Sequence, residues 1–302
     1  MKRRVFIRQS AAAGSLIGLG GLTMSASLAS KKHITILHTN DTHSHIEPFP
    51  SNDPSYANQG GVARRMTLIE QVRKENPNTL LLDAGDIFQG TPYFNFYGGE
   101  LEFKLMSMLR YDAATLGNHD FDNGIDGLYA QRPHAQFDLI TSNYDFTNTI
   151  MDGQTKPYRI ISKDGVKIGI FGLGIRLEGL VNKNLYKETV YLDPVEIATD
   201  MSNTLRKSEK CDLVICLSHL GYNYENPNRI SDIQLAKKTA GIDLIIGGHT
   251  HTFLDKPTII QNKEEKFVLV NQVGWGGIQL GRIDFYLDNK ENVSSNAVVM
   301  EV

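Results

Sequence analysis

Asp41 and His43 lie two residues apart in the segment ILHTNDTH and offer a carboxylate and an imidazole on one short turn. Similar groups recur along the chain. Asp86 follows Gly85 in LLLDAGD, and Asn118 follows Gly117 in ATLGNHDFD. His219 ends the run VICLSHLG, and His249 and His251 follow Gly247-Gly248 in IIGGHTH. The set is two carboxylates, one amide oxygen and four imidazoles. That is too large for one tetrahedral site; it suits two adjacent metal ions that share a ligand and keep positions open for water and substrate. Taken singly, each cluster has an ordinary explanation: a hydrogen-bonded histidine, an Asn-His-Asp helix cap, a Gly-Gly turn. Chance does not readily place five of them at the ends of five apolar runs. Mixed oxygen and nitrogen ligands suit divalent Zn, Mn, Fe or Co alike.

What must position these groups is a set of short apolar, β-branched runs. They are Ile34–Leu37, Thr79–Leu82, Ala113–Leu116, Leu139–Ser142, Val166–Phe171, Leu213–Leu217, Leu244–Ile246, Phe267–Val270 and Ile283–Leu287. Each reads as a strand buried on at least one face. Helical patterns alternate with them at Val62–Arg73, Glu100–Arg110, Pro194–Lys207 and Ile233–Lys238, the third opened by an Asp193 cap and a first-turn proline. The alternation predicts an α/β fold with layered sheets. Such sheets bind ligands at the carboxyl ends of their strands, so the five clusters can converge.

The first 29 residues read as a leader rather than as part of the fold. Lys2, Arg3, Arg4 and Arg8 precede an apolar stretch that exits through Ser27-Leu28-Ala29. Arg3-Arg4 followed by Val, Phe and Ile resembles a twin-arginine export signal, which predicts a periplasmic or secreted protein. Removing the leader takes away four basic side chains and leaves 27 basic against 34 acidic residues, a formal charge of −7. That balance argues against a nucleic acid polymer or an anionic membrane as partner, so attraction for a phosphate anion must come from metal charge. Cys211 and Cys216, five apart, are expected on opposite faces of one strand, unbridged and buried. His38 reads as structural, His33 and His134 as surface residues, and His45 as close enough to the metal turn to reach substrate. Trp275, in QVGWGG near the last metal loop, is expected to pack, with lining a pocket as the alternative.

The order Asp-x-His, Gly-Asp, Gly-Asn-His-Asp, His, Gly-His-x-His resembles the signature of the calcineurin-like metallophosphoesterases. The longer segments HTNDTHSH, DAGDIFQGTP and LGNHDFDNG resemble the N-terminal catalytic domain of the 5'-nucleotidase family, over essentially all of residues 33–302. The resemblance implies a four-layer α-β-β-α sandwich of two mixed sheets over residues 30–302, with the metals between the sheet ends. It implies that Asp41, His43 and His251 hold one metal, that Asn118, His219 and His249 hold the other, and that Asp86 bridges them. Asn118 and His119 would touch the substrate phosphate, with His119 acting as a catalytic group. The carboxylate partnering His119 matches Asp122, ahead of Asp120. The chemistry implied is attack on phosphorus by a hydroxide generated between metals roughly 3.5–4 Å apart. The family pattern continues into a second domain that stacks the nucleobase, and this sequence stops at Val302. The expected substrate is therefore a small phosphate ester, a nucleoside 5'-monophosphate or related nucleotide, held with weak preference for the leaving group. A phosphodiester or nucleotide-sugar substrate, or a separately encoded partner supplying the missing domain, are the alternatives.

Overall fold

The computed structural model describes residues 31–302 apart from 227, 290 and 291; the expected leader lies outside the described residues. The strands are β1 (Lys32–Thr39), β2 (Thr79–Asp83), β3 (Ala113–Ala114), β4 (Asp138–Leu139), β5 (Tyr144–Asp145), β6 (Tyr158–Lys163), β7 (Val166–Leu173), β8 (Val190–Tyr191), β9 (Leu213–Ser218), β10 (Leu244–Gly247), β11 (Thr258–Gln261), β12 (Phe267–Asn271), β13 (Gln279–Asn289) and β14 (Asn292–Glu301). They form two six-stranded sheets, ordered β14-β13-β1-β2-β3-β4 and β11-β12-β10-β9-β7-β6, with a small β5-β8 ribbon outside them. In the first sheet β1 to β4 run parallel and β13 joins β1 antiparallel. In the second, β7, β9, β10 and β12 run parallel, with β6 and β11 as antiparallel edges. Both sheets are thus mixed.

Alternation along the strands builds the layers. Ile34, Ile36, Leu80 and Leu82 face Ile168, Ile170, Ile215 and Ile246 in a core between the two sheets. Leu37 and Leu81 point the other way, into a core shared with helices α1 (Val62–Glu75), α2 (Pro92–Tyr97), α3 (Glu100–Met108) and α4 (Gly124–Gln131). On the far side Phe171, Val214 and Ile245 pack under α6 (Pro194–Asn203) and α7 (Asp232–Lys238), with the short α5 (Lys183–Tyr186) lying between α4 and α6 in the chain. The result is the four-layer α-β-β-α sandwich. Burial on both faces is why its central strands read as continuous apolar runs.

Asp193 caps α6 as expected, its carboxylate accepting from the Val195 and Glu196 amides at 2.8 and 3.0 Å. Two expectations need correction. Cys211 and Cys216 do not face opposite ways: both are free, buried and part of the core under α6 and α7. Cys211 precedes β9, so strand alternation does not govern it. His33 is not a simple surface residue, because its Nε2 lies 2.8 Å from Asp284 Oδ1 and its ring stacks on Tyr286. Among the described residues, no helix is long and apolar enough to cross a membrane.

Candidate metal centre

The carboxyl ends of β1, β2, β3, β9 and β10 meet along one edge of the sandwich, and the five clusters meet there with them. Backbone hydrogen bonds tie the β1 turn to the β2 turn: Asp41 N to Gly85 O at 2.9 Å, His43 N to Asp86 O at 3.1 Å and Ser44 N to Ile87 O at 2.9 Å. Asp41, His43, Asp86, His249 and His251 all adopt positive φ, between 48° and 74°. For non-glycine residues this left-handed region costs about 1–2 kcal/mol each. It is held here by the surrounding network, a pattern that concentrates at functional sites. Gly117 is needed for close approach rather than for a bend: a Cβ there would lie 2.2 Å from Asp86 Oδ1 and 2.6 Å from His219 Nε2.

Two groups of side chains could each hold a cation: Asp41, His43 and His251, and Asp86, His219 and His249. Within the first, the Nε2 atoms of His43 and His251 are 3.0 Å apart, and His251 Nε2 is 3.5 Å from Asp41 Oδ1. Within the second, His219 Nε2 is 3.0 Å from Asp86 Oδ2. His249 Nδ1 lies 2.9 Å from Asn118 Oδ1, which brings the amide to the same group. Asp86 Oδ2 is also 3.9 Å from His43 Nε2, so this one carboxylate faces both groups.

The donor chemistry fits metal ions. His219 Nδ1 faces the Ala84 carbonyl at 2.7 Å and His43 Nδ1 the Phe88 carbonyl at 3.2 Å. A carbonyl can only accept, so each Nδ1 carries the proton and each Nε2 lone pair points into the site. His219 Nε2 is fully buried without a hydrogen-bond partner of its own. Burial would lower the His219 pKa, but Asp86 and then Asp41 reverse this and raise it to about 10. The two acids thus demand positive charge at this point, from a proton or from a cation. Burial lowers His43 and takes His249 down to about 4, keeping both neutral as ligands must be.

His119 stands beside the groups without joining either. Its backbone N–H donates to Asp86 Oδ1 at 2.7 Å, and its Nδ1 lies 2.7 Å from Asp122 Oδ2. That hydrogen bond is the main reason its pKa rises above 6.5, against partial burial. Asp120 turns inward instead. Its carboxylate accepts from the amides of Gly117, Asp86, Ile87 and Phe88 at 2.7–3.1 Å and so locks the β2 turn to the β3 turn. Asp122 is therefore the partner of His119.

Sequence reading missed two supports. Asn40, which is buried, donates to Gly274 O at 2.6 Å and accepts from Val273 N at 2.9 Å, pinning the loop after β12 against the β1 turn. Gln272 donates to Gly248 O at 2.7 Å and accepts from Thr252 N at 3.0 Å, holding the His249–His251 turn. Asn40 adjoins a candidate ligand and could have been suspected; Gln272 carries no such signal. His38 is buried, beside Asn271 at 3.0 Å, and burial lowers its pKa to about 3, as suits a structural residue. His45 bonds the His43 carbonyl at 2.9 Å and stacks on Phe49, so it packs against the site's flank. His134 lies away from the site, half-buried in the turn Arg132–His134.

The calcineurin-like phosphoesterase model matches residues 34–253. The chain is 35% identical over 295 residues to the trifunctional nucleotide phosphoesterase protein YfkN of Bacillus subtilis, covering 87% of this chain and 19% of that one. It is 33% identical to the 5'-nucleotidase of Rattus norvegicus over 92% of this chain and 50% of that one. The fold superposes on a 5'-nucleotidase precursor from Thermus thermophilus with a TM-score of 0.82 at 33% identity, covering 90% of this chain and 55% of the other. The chain thus spans about half the length of these 5'-nucleotidases, and a smaller share of the Bacillus protein.

Proposed function

The chain belongs to the calcineurin-like phosphoesterase family, and from that premise we propose that it is a two-metal hydrolase of phosphate monoesters, nucleoside 5'-monophosphates foremost. The observation that carries this reading is the convergence of seven donor side chains on two adjacent points, with a histidine left over beside them. Asp41, His43 and His251 would hold one cation, Asn118, His219 and His249 the other, and Asp86 both. Bound divalent ions would offset phosphoryl charge and make water acidic enough to attack near neutral pH.

The remaining work belongs to the protein. His119, held by Asp122 in the form that favours the imidazolium, stabilises charge on the phosphoryl group or protonates the departing oxygen. Asn118 and His119 orient the phosphate from one turn, which Asp120 fixes against the Asp86 turn. The nucleotide preference is supported by the names of the relatives, which are nucleotidases and a nucleotide phosphoesterase. Export through the leader completes the proposal, and mature protein beginning at Ser30 would bear it out, whereas retention of residues 1–29 would not.

The test is phosphate release with added Mn²⁺ from AMP, set beside turnover of bis(p-nitrophenyl) phosphate and of a nucleotide sugar. We expect AMP to give the highest kcat/KM. Faster turnover of the diester or the sugar nucleotide would replace the monoesterase reading.

A further inference from the structure

A row of rings leads out of the metal centre. His119 and His43 have ring centroids 5.3 Å apart, His43 and His251 5.0 Å, and His251 and Trp275 5.7 Å with only 8° between planes. Tyr56 follows edge-on, 6.0 Å from Trp275 with 79° between planes, and Phe253 stacks on Tyr56 at 6.0 Å and 23°. The outer three rings are not core residues. Trp275 and Tyr56 are half-buried, and Phe253 is 38% exposed. From sequence alone Trp275 was expected to pack, with lining a pocket as the alternative.

The outer rings are held in place by the loops that carry them. Asp53 Oδ1 accepts from the Ser55 and Tyr56 amides at 2.9 and 2.7 Å, fixing the turn that presents Tyr56. Gly274 leaves room for Phe253 to lie against the loop backbone, since a Cβ there would come within 2.1 Å of the Phe253 ring. Phe49 backs Trp275 from the protein side at 5.5 Å. Partly exposed aromatic residues held beside a phosphate-handling centre can stack planar groups in a sequence-tolerant way.

We infer that Trp275, Tyr56 and Phe253 form a shelf on the His251 side of the centre that takes the planar aromatic part of the substrate, a nucleobase, while the phosphate lies at the metals. The inference rests on the proposed phosphomonoesterase reading and names the residues that would grip the leaving group. It replaces the expectation of weak leaving-group preference. Gripping a remote ring raises kcat/KM for esters that carry one.

The test has two readouts. Trp275 is the single tryptophan of the chain, so intrinsic fluorescence reports on the shelf directly. Adenosine and AMP should quench it saturably and ribose 5-phosphate should not, and Tyr56→Ala should weaken the AMP effect about tenfold. In turnover, the ratio of kcat/KM for AMP to that for ribose 5-phosphate should fall about tenfold in both Tyr56→Ala and Phe253→Leu, and be restored in Tyr56→Phe. An unchanged ratio in both variants, or equal quenching by ribose 5-phosphate, would overturn the shelf. A wild-type chain that hydrolyses neither ester yet shows ring-selective quenching would overturn the enzymatic reading and leave the shelf standing.

Discussion

In the proposed reaction the chemistry turns on His119, an imidazole at the centre that the two donor groups do not use. His119→Ala should lower kcat by about a hundredfold or more, the ordinary contribution of a positioned general acid, while metal content measured by elemental analysis stays at the wild-type level. Loss of a metal from that variant would make His119 a ligand. In that reaction Asp122 would set the working pH. It raises the His119 pKa, so the required imidazolium is present below that pKa and lost as pH rises through it. Replacing Asp122 with Asn removes the charge and leaves only a neutral amide oxygen to accept from His119. The alkaline limb of the kcat profile should then move to lower pH. A limb that stays put would show that the pair does not govern protonation in the reaction.

At the scale of elements, the site depends on short turns that hold one another. Asp120 is the tie between the turns after β2 and β3, since four amide donors end on its buried carboxylate. Asp120→Asn puts an NH₂ where some of those donors point and should destabilise the fold by about 2–4 kcal/mol, read by denaturant melting. Asp122→Asn, at a partly exposed position, should leave stability nearly unchanged. Equal melting curves for the two variants would refute the division of labour. Spacing alone could not make this distinction, because both acids lie within three residues of His119; the turn His119–Phe121 decides it by sending Asp120 inward. The strands that carry ligands were legible because burial on both faces makes them uniformly apolar. The edge strands β6 and β11 were not recognised, since half-exposed residues break the pattern. Helices α2 and α4 were missed too, one flanked by Gly98 and the other opening on Gly124 with a second glycine at Gly127. The aromatic row was illegible for another reason: Tyr56, Phe253 and Trp275 come from separate loops that share no periodicity.

At the scale of the molecule, the centre is a joint between two sheets. Asp41, His43, Asp86 and Asn118 follow strands of the first sheet, and His219, His249 and His251 follow strands of the second. Each candidate group takes ligands from both sheets, so neither can assemble unless the sandwich closes. Five left-handed candidate ligand residues and a cluster of buried acids and imidazoles make this edge costly to hold together. Cations that bind only the folded chain would offset that cost by mass action. The central claim, two cooperating metals rather than one, is tested most directly by titrating chelator-stripped protein with Mn²⁺ while following phosphate release from AMP. Activity should rise until two equivalents per chain are bound and then level off. A plateau at one equivalent, or full activity without added metal, would contradict the account.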